Sequence, residues 1–104
     1  MKLITHESVT AFLNAKKFNK SNMNVEVLPN VTILKYQGNS IAYKYNDPNK
    51  TISITNCGWN SNTTKERLNG VISLSGLNIG RIYQKNWVWY LDGKEWNGEL
   101  TDLN

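Results

Sequence analysis

Val31-Thr32-Ile33-Leu34-Lys35-Tyr36, then Ile41-Ala42-Tyr43-Lys44-Tyr45, then Thr51-Ile52-Ser53-Ile54-Thr55 are the runs that decide the fold. All three are rich in β-branched and aromatic residues. They are separated by Gln37-Gly38-Asn39-Ser40 and Asn46-Asp47-Pro48-Asn49, two clusters of turn formers. Thr51–Thr55 alternates strictly, with Ile52 and Ile54 on one face and hydroxyl residues on the other, the pattern of a half-buried strand. Val25–Leu28, closed by Pro29-Asn30, supplies a strand upstream. Four strands with short turns predict an antiparallel meander.

Reading outward, Asn56-Cys57-Gly58-Trp59-Asn60-Ser61-Asn62 is a polar loop. Thr63-Thr64-Lys65-Glu66 then fits a capping box with Thr63 as N-cap. A helix over about 64–75 follows, with Leu68, Val71 and Ile72 as its apolar stripe and Gly76 ending it. Gly70 lies inside this helix and should weaken it by ~1 kcal/mol relative to Ala. Ile79–Gln84 and Trp87–Leu91 form two more strands about a Lys85-Asn86 turn, and Asp92-Gly93 closes the second. At the other end, Val9, Phe12, Leu13 and Lys16 predict a helix from Ser8 to Phe18, capped by Thr5 or Ser8. Lys16 and Lys17 then suit its C-terminal dipole, and the polar stretch Asn19–Asn22 ends it. The expectation is an α+β fold of order α-ββββ-α-ββ. It has two helices on one face of an antiparallel sheet of about five to six strands. Residues 1–104 read as one domain, with 97–104 as an acidic tail.

Charge divides unevenly along the chain. Residues 1–90 hold 11 Lys/Arg and 4 Asp/Glu, a net of +7; residues 91–104 hold Lys94 against Asp92, Glu95, Glu99 and Asp102, a net of −3. A basic body suits polyanionic partners, or serves only to keep the surface soluble. No apolar run nears the ~18 residues that would span a bilayer. Lys2 is followed by no apolar segment of the signal-peptide kind, and Cys57 is the lone cysteine. A reducing cytoplasm is the expected setting.

Catalytic chemistry finds little to build on. His6 and Cys57 lie in separate segments, and no spacing of metal ligands occurs. Cys57 reads as a small buried residue and His6 as a surface or helix-start residue. Glu7, Glu26, Asp47 and Glu66 are scattered among lysines. The expectation is a binding protein without cofactor or metal, not an enzyme.

Three features carry binding potential. The start of the second helix offers free backbone N–H groups with Lys65 and Arg67 nearby, a phosphate dock or simply a capped helix. Lys35-Tyr36, Tyr43-Lys44-Tyr45, Arg81, Tyr83 and Lys85 interleave aromatic rings with cations. On a sheet, that is how single-stranded RNA is held, unless the rings are cross-strand packing. Lys35, Tyr43, Lys44, Lys65, Arg67, Arg81 and Lys85 are therefore the candidate nucleic-acid contacts. In Trp87-Val88-Trp89-Tyr90-Leu91 neither face is polar. Trp87 and Trp89 then belong to a core strand, or to an interface with a partner or a second copy.

Thr55-Asn56-Cys57-Gly58-Trp59, Thr63-Thr64-Lys65-Glu66-Arg67-Leu68-Asn69 and Tyr83-Gln84-Lys85-Asn86-Trp87-Val88-Trp89-Tyr90-Leu91 resemble a family of small phage proteins. That family's pattern is Gly-Trp, Thr-Thr-Lys-x-Arg-Leu-Asn and Gln-Lys-Asn/Asp-aromatic. The resemblance covers most of residues 31–91. Asn, Lys and Ile are abundant, as in AT-rich genomes, which points to phages of staphylococci or their relatives. Small podophages of that group encode host-defence antagonists, including a type III-A CRISPR inhibitor that works with bound RNA, and this chain is similar in size, charge and apparent origin. The resemblance implies an anti-defence protein of the host cytoplasm. Its partners would be a small host RNA or RNA fragment and a host defence complex, with no membrane. The alternative is direct inhibition of a host protein through the Trp-rich strand.

Overall fold

A computed structural model describes residues 1–104. In chain order the elements are α1 (Leu3–Leu13), β1 (Phe18–Lys20), β2 (Met23–Val27), β3 (Val31–Tyr36), β4 (Asn39–Tyr45), β5 (Ile52–Ile54), α2 (Asn62–Ser75), β6 (Ile82–Lys85), β7 (Val88–Leu91), β8 (Lys94–Glu95) and β9 (Thr101–Asp102). The fold is α+β, as its pattern of runs and turns predicts. Short strands β1, β8 and β9 are added to the expected order.

The meander is real and longer than expected: β1 to β5 run in sequence order and β9 joins beside β5 as a sixth strand, each strand antiparallel to its neighbours. Register explains why it holds together. Val25, Leu34, Ala42 and Ile54 form one row across four strands, and all are buried. With Met23, Ile41 and Ile52 they meet Val9 and Phe12 of α1 and Leu68, Val71 and Ile72 of α2 in one core. The next row, Glu26, Ile33, Tyr43, Ser53 and Asp102, points to the opposite face.

Helix α1 starts and ends five residues before its predicted span. Thr5 and Ser8 are not caps but fully buried helical positions, and Lys2 precedes the first turn without a side-chain cap. The helix stops because Ala15 adopts φ 52°. The Lys16 N–H then reaches Ala11 O (2.9 Å) and the Ala15 N–H reaches Phe12 O (3.3 Å), a Schellman closure. Lys16 and Lys17 therefore lie beyond the last turn, and Phe18 opens β1. The cap of α2 is likewise displaced: Ser61, not Thr63, accepts from the Thr64 N–H (3.1 Å). Gly76 ends α2 at φ 76°, as expected.

The acidic segment 97–104 is no free tail. β9 pairs with β5, the Leu103 N–H bonds Ile52 O (2.7 Å), and the Asp102 carboxylate accepts from the buried Ser53 hydroxyl. Gly98 O accepts from the Thr55 hydroxyl (2.7 Å) and the Asn56 N–H (3.1 Å). These contacts satisfy an edge that would otherwise leave its backbone groups unpaired.

A second sheet, β6-β7-β8, is built from two hairpins. Lys85 pairs with Val88, so the turn is Asn86-Trp87 rather than Lys85-Asn86; φ is 51° and 67° at its two residues. Asp92-Gly93 forms the other tight turn, at φ 52° and 81°. Two positive φ values suit the right-handed twist of paired strands. The sheet's hydrogen bonds to α2 come from one side chain. Asn69 donates to Ile82 O (2.8 Å) and accepts from the Ile82 N–H (2.7 Å).

Gly70 is the residue that lets the helices meet. A Cβ there would lie 2.4 Å from Thr5 Cγ2, and Thr5 cannot rotate away because its hydroxyl is bonded to both Glu66 and Arg67. Gly70→Ala should therefore lower stability by about 1–3 kcal/mol through overpacking. That exceeds the ~1 kcal/mol it gains in helix propensity. A thermal melt checks this; a raised Tm would contradict it.

Candidate nucleic-acid interface

The candidate contacts separate into five environments. Arg67 is interior, only 3% exposed. Its guanidinium donates to Glu66 Oε1 (2.6 Å), Thr5 Oγ1 (2.9 Å) and Asn22 Oδ1 (3.2 Å), and lies 5.5 Å from the Tyr36 ring centre. With every donor direction facing protein, it holds the fold and offers nothing to a phosphate. Glu66, its partner, is pulled two ways. Burial would raise its pKa, but hydrogen bonds from Thr5, the Lys2 backbone and Arg67, and the charge of Arg67, hold it below its ordinary 4.5.

Lys35 and Tyr43 share the outer face of the large sheet, where Tyr43 stacks on Tyr45 at 6.2 Å. Lys35 is already paired with Glu26 (3.6 Å), so that face carries little free charge. Lys44 is on the other face, in the row with Thr32 and Ile52, and its ammonium caps Leu13 O at the end of α1. Strand alternation makes this unavoidable: Tyr43 and Lys44 are neighbours in sequence and cannot share a face.

Lys65 and Arg81 border a groove between α2 and the segment leading into β6. Lys65 rests over the buried Trp89 ring, 6.0 Å from its centre. Neither joins an ion pair: those of the chain are Lys20–Glu7, Lys35–Glu26 and Arg67–Glu66.

Lys85 belongs to the outer face of the small sheet. There Tyr83 and Tyr90 oppose each other across β6 and β7 and stack at 5.2 Å, 11° from parallel. Lys85 and Val88 form the next pair, both exposed. Trp87 stands at the turn, 91% exposed, while Trp89 is on the inner face, 5% exposed, against Trp96. The two tryptophans proposed as one interface are thus divided: Trp89 is core and Trp87 is surface. The one-residue shift of the turn placed Trp87 at the tip. Tyr90 is the member of this surface missed among the candidate contacts; its pairing with Tyr83 follows only from that shifted register.

Cys57 is exposed rather than buried, at φ 53° in a turn where its N–H bonds the Thr55 hydroxyl (3.1 Å). His6 is exposed on α1. No three His, Cys, Asp or Glu side chains converge as metal ligands would, and no helix is long and apolar enough to cross a membrane.

A lowered carboxyl pKa contributes stability that is complete above the unfolded value and lost as pH falls through the folded one. The stability advantage of the native chain over Glu66→Gln should therefore be constant above about pH 5 and shrink once pH drops below the ordinary carboxyl range. Denaturant melts at stepped pH check this; an advantage that grows on acidification would contradict it.

Comparison with known proteins places the chain in a family. No curated protein and no solved structure matches the chain. One family model, described as Kyanoviridae Gp96 protein, matches residues 1–101, nearly the whole fold including β9 at its start. That agrees with the resemblance to small phage proteins, and the family description states no activity. The chain belongs to the Kyanoviridae Gp96 family of phage proteins.

Proposed function

We propose that this phage protein binds single-stranded RNA on the outer face of the β6–β7 hairpin and thereby opposes RNA-dependent host defence such as a CRISPR effector. The observation that carries the reading is the combination, on one hairpin, of a stacked Tyr83–Tyr90 pair, an unpaired Lys85 on the same face and a fully presented Trp87 at the tip. Flat rings accept bases of any identity, and a cation beside them holds the backbone. The strand should follow the β6 side. Glu95 pairs with Tyr90 on the β8 side and would repel phosphate. The phage family and the basic body support the anti-defence setting.

A second reading draws on Trp87 itself. A tryptophan 91% exposed at a hairpin tip is also the anchor a protein interface uses. In that case a host protein is bound directly, without nucleic acid.

Anisotropy titration of a labelled single-stranded RNA at several salt concentrations separates the two. RNA binding should weaken with salt as counterions are released. Tyr83→Ala and Trp87→Ala should each cost about 1–3 kcal/mol of affinity, and Lys85→Ala should reduce the salt slope by roughly 0.7. Arg67→Ala should instead lower the melting temperature. Absence of binding at low salt rejects the RNA reading and leaves Trp87 as a protein contact.

A further inference from the structure

The groove beside α2 has a composition of its own. It is an open groove of about 620 Å³, within the size range of small-molecule sites, roughly 300–1,000 Å³. Met1, Ile72, Leu77 and Ile79 give it apolar walls, and Lys65 and Arg81 stand at its border. Glu66 also reaches it, but both carboxylate oxygens are committed: one to Thr5 and Arg67, the other to the Lys2 N–H. The charge left uncompensated in the groove is therefore positive.

Lys65 is held at its ammonium, and Arg81 through the backbone of the residues on either side of it. Lys65 is seated over the Trp89 ring. Arg81 is bracketed on each side: the Gly80 N–H bonds Asp92 Oδ1 (2.7 Å), and Ile82 is clamped at both backbone atoms by Asn69. A cation whose backbone is fixed this way loses less freedom on binding an anion. Neither side chain has a carboxylate partner that an anion must displace.

We infer that this groove binds a nucleoside monophosphate, with the phosphate between Lys65 and Arg81 and the base against Leu77 and Ile79. Two cations without carboxylate partners ask for a compact anion of more than one charge, and apolar walls ask for a flat, weakly polar body. The choice of a nucleotide over other flat anions rests on the RNA reading of the hairpin. The same chemistry is presented by a free nucleotide and by the 5′-phosphorylated end of a strand lying on the hairpin.

Calorimetry tests the free form with AMP, adenosine and inorganic phosphate. Anisotropy tests the strand form with one labelled RNA carrying either a 5′-phosphate or a 5′-hydroxyl. The expected result is phosphate discrimination of about tenfold or more, in one arm or both; the arm that shows it identifies the source. Lys65→Ala combined with Arg81→Ala should erase the discrimination while the melting temperature stays close to native. No discrimination in either arm overturns the inference. So does discrimination that survives the double substitution, or inorganic phosphate binding as tightly as AMP. Trp87→Ala keeps the two readings apart: it should weaken strand binding and leave AMP affinity unchanged. If no strand binds at all, the AMP arm still decides the groove.

Discussion

Arg67 sits where α1, α2 and the first turn of the large sheet converge, and its burial is the constraint on which the other arrangements depend. An unpaired guanidinium in that position would cost several kcal/mol. The chain therefore supplies Glu66, Thr5 and Asn22 as acceptors and the Tyr36 ring as a face. Each comes from a different element, so satisfying one side chain sets the position of four segments. Thr5 is held by this network, and a held Thr5 leaves room only for glycine where α2 crosses it. The helix crossing, the sheet's covered face and the β1–β2 turn are thereby coupled to one charge.

The same arrangement leaves the outer surface free to specialise. The helices cover one face of the large sheet, and on the other Lys35 is paired with Glu26 while the Asp102 carboxylate accepts a hydrogen bond from Ser53. The small sheet is different. It hangs on α2 through Asn69 and on the core through Ile82, Trp89 and Leu91. Its outer face is left with stacked tyrosines, a free lysine and a tip tryptophan. A projecting hairpin with a fixed base and an aromatic surface is suited to contact, and its role as a contact is the functional proposal made for this phage family member.

Where sequence reasoning succeeded, local pattern and global packing agreed. Val31–Tyr36 is a strand with the bounds its pattern predicts, and Gly76 ends α2 because a left-handed residue is needed there. It failed where a polar group serves the interior. Thr5 and Ser8 look like caps because hydroxyls usually serve helix ends; here Thr5 serves Arg67, and Ser8 donates to Thr5 O (3.3 Å). Arg67 looked like a surface cation because its partners at 5, 22 and 36 are remote in sequence. Trp87 looked like a strand residue because no propensity favours tryptophan at φ 67°. The C-terminal segment looked free because its four carboxylates over 91–104 suggested solvent, whereas pairing with β5 depends on backbone groups that composition does not reveal.

The central claim is a division of labour: Arg67 organises the interior while the hairpin meets the partner. The direct measurement is a proton–nitrogen correlation spectrum of the folded chain, including the four tryptophan indoles and the arginine Nε groups, during titration with a short single-stranded RNA. The account predicts saturable shifts at Trp87, Lys85, Tyr83 and Tyr90, with the Arg67 Nε signal and the Trp96 indole unmoved. Shifts centred on Arg67, or on Tyr43 and Tyr45 of the large sheet with the hairpin silent, would contradict it.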